Sequence, residues 1–108
     1  MVAGDMNDLP GSNPMQPLLG LPNLFDVLAL KFGNNSQQRW TYKYKNQLNQ
    51  IDFLLVSKPL KNGFQDAGIE RRGIHGVQAI TGQPPFASVT SASTAASDHG
   101  AVWAEFKV

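Results

Sequence analysis

The chain has 108 residues, a formal charge of +1 at neutral pH and no cysteine. That length makes one small domain with little surplus stability, and the missing thiols exclude a disulfide framework and a thiolate metal site. A near-neutral balance excludes strong long-range steering toward a polyanion, but not a phosphodiester substrate, because a bound cation supplies positive charge locally.

Val2-Ala3 reads as the end of a buried strand and Gly4 as the point where the backbone turns. Asp5 and Asn7 stand two apart, so an extended backbone would point them to the same side and set a carboxylate beside a carboxamide. Alone, the run from Asp5 to Pro10 is also an ordinary Asp/Asn-rich turn closed by proline. Gly11-Ser12-Asn13-Pro14 predicts the start of a short helix, capped by Ser12 or Asn13, that runs from Met15 to Leu19 and stops near Gly20 and Pro22. A second short helix is predicted from Asn23 to Leu30, with Leu24, Val27 and Leu28 on one face, followed by a polar loop from Gly33 to Gln38.

Arg39 to Lys45 alternates, with Trp40, Tyr42 and Tyr44 on one side and Arg39, Thr41, Lys43 and Lys45 on the other. The reading is a half-buried strand with its aromatic residues inward; the alternative is a stacking surface for nucleic acid. Asn46 to Gln50 reads as a hairpin loop joining that strand to the strand Ile51–Val56. Ser57 to Leu60 predicts one helical turn, and Phe64 to Ile69 a strand weakened by Gly63 and Gly68. Glu70 to Gly76 is a polar loop whose Arg71, Arg72 or His75 is either solvated or meets a phosphate. Thr81 to Ala96, rich in small and polar residues, is expected to be a mobile loop that delivers Ser97-Asp98-His99 to a closing strand over Ala101–Phe106. No charged leader precedes an apolar core and no apolar run is long enough to span a bilayer, so the default expectation is a cytoplasmic protein.

The chemistry is concentrated at three points. Asp52 sits inside Ile51-Asp52-Phe53-Leu54-Leu55-Val56, where an acid is costly to bury without a partner. His99 suits that role, since a carboxylate on one ring nitrogen fixes the tautomer and leaves the other facing a substrate. Against this stand an Asp bonded to backbone at a strand edge and a surface histidine.

These segments, Gly4-Asp5-Met6-Asn7, then Ile51-Asp52 running into Leu55-Val56-Ser57, then Ser97-Asp98-His99, resemble in order and strand context the endonuclease/exonuclease/phosphatase superfamily, the DNase I-like fold. The Trp-Thr-Tyr-Lys-Tyr run before the second segment adds to the likeness. The resemblance covers residues 1–108 and only the C-terminal half of that domain. It implies an α/β (α+β) chain, half of a four-layer α/β sandwich, with mainly antiparallel sheet and short helices on one face. It also implies a metal-dependent phosphodiester hydrolase of endonuclease type, in which Asp5 orients or deprotonates the attacking water and Asn7 holds the scissile phosphate. Asp98, with Asp5, would lie at the metal, Asp52 would orient His99, and His99 would contact the phosphate or act as acid/base. Arg71 and Arg72 are further phosphate candidates. The donors favour Mg²⁺, with Mn²⁺ or Ca²⁺ as substitutes. The family's N-terminal metal-binding glutamate has no counterpart, which leaves open a truncated, non-catalytic remnant, a half-domain needing a complementing partner, and a phosphatase or phospholipase of the same superfamily.

Overall fold

The most apolar stretch of the chain becomes the middle of a sheet. The computed structural model describes residues 1–108, apart from the side chain of Ser36. In chain order the strands are β1 (Val2–Asp5), β2 (Leu24–Asp26), β3 (Tyr42–Tyr44), β4 (Gln47–Asn49), β5 (Asp52–Ser57), β6 (Phe64–Glu70) and β7 (Ala101–Phe106). The helices are α1 (Gln16–Leu19), α2 (Val27–Phe32), α3 (Ser36–Arg39), α4 (Lys58–Asn62) and α5 (Gln78–Thr81), with 3₁₀ turns at Asn13–Met15 and Ala92–Thr94. The fold is α+β, with an antiparallel sheet ordered β1-β5-β2 and two antiparallel ribbons, β3-β4 and β6-β7.

Successive side chains of a strand point to opposite faces, and β5 is apolar on both. Val56 packs with Val27 and Leu28 of α2 and Ala67 of β6, with Leu54 against the same cluster. Phe53 and Leu55 pack with Met15, Leu18 and Leu19 on the other side. Helical segments therefore flank β5 on both faces. A third cluster joins Trp40 to Ile74 and Val77 of the long segment between β6 and β7.

Several local expectations are corrected. β1 is an edge strand rather than a buried one: Val2 is half-buried and Ala3, Gly4 and Asp5 are exposed. The helix expected from Asn23 begins only at Val27, because Leu24–Asp26 pairs with β5 and the Asp26 carboxylate caps α2 by accepting from the Leu28 N–H at 2.9 Å. Asp26 is also nearly enclosed, with its Oδ2 receiving Arg39 at 3.1 Å and Gln50 Nε2 at 2.8 Å. Part of the supposed loop at 33–38 is α3, started by Asn35, whose side chain accepts from the Gln37 N–H.

The hairpin also closes earlier than its composition suggests. β3 pairs with β4 through a two-residue turn at Lys45-Asn46, with Lys45 at φ 54°, and β5 pairs elsewhere. Thr41, expected on the solvent side, is fully buried, and its Oγ1 accepts from the N–H groups of Ile51 and Asp52, each at 3.1 Å. The strand does not begin until Tyr42, so alternation does not reach back to Thr41. Thr41→Val keeps the shape but strands two buried donors, and we expect it to cost about 1–3 kcal/mol in urea unfolding, whereas Thr41→Ser stays close to wild type. Equal stability of the valine variant would show that the hydroxyl carries none of this.

The turn at α4 and the strands β6 and β7 fall where expected. Gly68 is required by close approach, since a Cβ there would meet the Trp103 ring at 2.7 Å. The segment from Thr81 to Ala96, expected to be mobile, starts on the last residue of α5, is otherwise irregular apart from one 3₁₀ turn, and is tied to the polar loop by Phe86 N–H to Arg72 O at 3.0 Å and Ala96 N–H to Gly73 O at 2.9 Å. Val89 in its middle is buried.

Candidate active site

Antiparallel pairing of β1 with β5 sets Asp5 directly opposite Asp52. The third segment arrives from the other end of the chain. His99 forms an isolated antiparallel bridge with Tyr42, and the Gly100 N–H donates to Thr41 O at 2.7 Å, which fixes the approach of the histidine to the ribbon. Residue 100 must be glycine here, because a Cβ would stand 2.5 Å from Ile69 Cγ2 and 3.3 Å from Arg71 Cγ.

The resulting geometry is a carboxylate–imidazole pair with two further carboxylates beyond it. His99 Nδ1 lies 2.7 Å from Asp52 Oδ2. An ionised carboxylate only accepts, so Nδ1 carries the proton and Nε2 is left for other chemistry. Nε2 faces Asp5 Oδ2 and Asp98 Oδ1, each at 3.8 Å. Exposure rises outward along this arrangement: Asp52 is 18% exposed, His99 26%, Asp5 49% and Asp98 68%. The Tyr42 ring completes the surroundings, with its centroid 4.7 Å from that of the imidazole.

Partial burial is the largest single influence on the His99 pKa and pulls it down. The hydrogen bond and charge of Asp52, helped by Asp5 and Asp98, outweigh it, so the imidazole titrates above its ordinary value. A raised folded-state pKa means that this pair contributes stability fully below the unfolded imidazole value and loses it as the pH rises through the folded one. We therefore expect an NMR titration in EDTA to place His99 above a free imidazole, and Asp52→Asn to bring it down. A His99 curve unmoved by that substitution would remove Asp52 as the controlling partner.

No known protein family, characterised protein or solved structure matches the chain. Asp5, Asp52, Asp98 and His99 come together as expected. Asn7 does not join Asp5 by alternation, because its φ of 53° ends the extended backbone and its N–H folds back onto Asp5 Oδ1 at 2.9 Å. Its exposed side chain makes no hydrogen bond to the group among the described residues.

The two arginines are engaged within the fold. Arg71 donates to Trp40 O and Gln38 O, each at 2.8 Å, and lies 4.1 Å over the Trp40 ring, with burial lowering its pKa to about 10. Arg72 grips Glu70 through two bonds of 2.8 and 2.7 Å, holding that carboxyl down to about 2. These bonds hold the polar loop in place, and a phosphate contact from either arginine would compete with them.

The strand pattern places Tyr42 inward, and in the fold it is half-buried and borders the imidazole. The signal that points to it is the side it shares with Tyr44, which is 56% exposed.

One atom each from Asp5, Asp52 and His99 lie within 4.8 Å of one another, a spread that one ion can bridge. Asp52 commits Oδ2 to the imidazole, and Asp98, whose Oδ1 lies 3.8 Å from His99 Nε2, is not one of the three. Carboxylate oxygen donors fit Mg²⁺ or Mn²⁺.

Proposed function

We propose that the protein is a metal-dependent phosphodiester hydrolase of endonuclease type, in keeping with its sequence resemblance to the endonuclease/exonuclease/phosphatase superfamily. The observation that carries this reading is the 2.7 Å bond between His99 Nδ1 and Asp52, which leaves Nε2 facing two exposed carboxylates at 3.8 Å. Three segments far apart in sequence supply these groups. A merely structural histidine would not need two carboxylates at its outer nitrogen.

On this reading Asp52 fixes the orientation of His99, which holds or delivers a proton at Nε2 next to the scissile phosphate. Asp5 accepts a proton from the attacking water, and Asn7, at the exposed turn beside it, offers its amide to a phosphoryl oxygen. A divalent cation on Asp5 and Asp98, Mg²⁺ with Mn²⁺ or Ca²⁺ as substitutes, would offset charge on the phosphoryl oxygens. Neither glutamate joins the group, since Glu70 is bonded to Arg72 and Glu105 lies in β7 opposite Asp66. The reading therefore relies on Asp5 and Asp98 for the cation.

The test is cleavage of a supercoiled plasmid and of a small chromogenic phosphodiester with Mg²⁺. EDTA, Asp5→Ala and His99→Ala should each abolish cleavage; equal background in wild type and variants would overturn the reading.

A further inference from the structure

Beside the imidazole the surface continues as an aromatic strip. Tyr42 and Tyr44 stand two apart on β3, on one side of it, with ring planes within 5° of parallel and centroids 6.2 Å apart. The inner ring touches the His99 ring and the outer one is more than half exposed. Lys45 reaches the outer edge, with its Nζ 5.4 Å from the Tyr44 ring centroid. The short ribbon exposes this side of β3 because its packing is done by residues on either flank: Trp40 is buried before the strand, and Leu48 of β4 packs against the Trp40 cluster. Tyr42 is half-buried beside the imidazole, but the exposed Tyr44 ring is not needed by the core.

We propose that Tyr42 and Tyr44 form a stacking platform for unpaired nucleobases, so that the substrate is a single-stranded nucleic acid laid along β3 with a phosphate at His99. This rests on the hydrolase reading for the role of His99, but the platform itself stands on the parallel ring pair with its exposed outer member. A flat aromatic face takes any base, and the whole chain, at +1, supplies little general attraction for a polyanion. Bases in a duplex are already stacked on their neighbours and reach such a face only after a costly unstacking. The Lys45 ammonium, at the rim of the outer ring, is placed for the backbone phosphate of a stacked nucleotide.

The test is binding of a fluorescent oligothymidylate to the full chain in EDTA, compared with a strand of equal length and charge that carries abasic sites, and with the same sequence in a duplex. The base-bearing single strand should bind about tenfold more tightly than either competitor, and Tyr44→Ala should erase that preference. Tyr44→Phe keeps the ring and should keep it, and circular dichroism of the alanine variant should match the wild type, since the side chain is largely exposed. Equal affinity for abasic and base-bearing strands, or an alanine variant that binds like wild type, would overturn the platform. Preference without cleavage would leave the platform standing and sink the hydrolase reading; cleavage lost in His99→Ala without base preference would do the reverse.

Discussion

His99→Ala is expected to lower phosphodiester cleavage by about 10²–10⁴-fold, the range associated with removing a positioned general acid or base. The imidazole presents Nε2 to both outer carboxylates, and its partner Asp52 cannot replace it because the Asp52 oxygen points at Nδ1. The expectation concerns chemistry rather than folding. His99 is a quarter exposed, and the backbone bond from Gly100 to Thr41 that holds the segment does not involve the side chain. Thermal unfolding of the variant should stay within a few degrees of wild type, apart from the pH-dependent share contributed by the Asp52 bond. Asp52→Asn should fall between the two, since an amide can present its NH₂ to Nδ1 and favour the tautomer that leaves Nε2 protonated. A rate that survives His99→Ala would end the hydrolase reading, whatever the Asp52 variant does.

Trp40→Ala should be the most damaging single substitution to the fold, at about 3–5 kcal/mol. The side chain is 1% exposed, it packs with Ile74 and Val77, and Arg71 covers its face at 4.1 Å while bonding its carbonyl. Removing the ring leaves a void and strips the guanidinium of its aromatic neighbour, so the polar loop loses its seat. Small domains hold only about 5–15 kcal/mol in total, so the loss is a large share of what there is. Melting followed by circular dichroism should drop by on the order of 15–25 °C. Trp40→Phe retains much of the buried area and should lose far less. A drop of only a few degrees for the alanine variant would mean that the third cluster is dispensable.

Where the chain supplied its own local instructions, they were legible. Pro14, Gly20 and Pro59 bracket short helical turns, and the apolar run of β5 and the alternation of β7 need no partner to be recognised. Asp52 and His99 could be paired in advance for an energetic reason, because an acid in an apolar strand requires a partner and the chain has only two histidines. Periodicity failed where a tertiary bond outweighed it. Leu24 and Phe25 have helical spacing but pair with β5, and Thr41 alternates to the outside but is drawn in by two amide donors of the next strand. Arg71 and Arg72 look alike in a polar loop, and only the folded chain shows one against Trp40 and the other against Glu70.

The amino-acid order alone determined which residues carry reactive groups and which segments are apolar enough to be strands, since both follow from side-chain chemistry and short-range spacing. It could not determine that Asp5 and Asp52 face each other or that Tyr42 lies against the imidazole with Tyr44 exposed beyond it. Those relations depend on strand register and on a contact between residues 52 and 99, and a one-residue slip in either pairing would reverse the faces without altering any local preference.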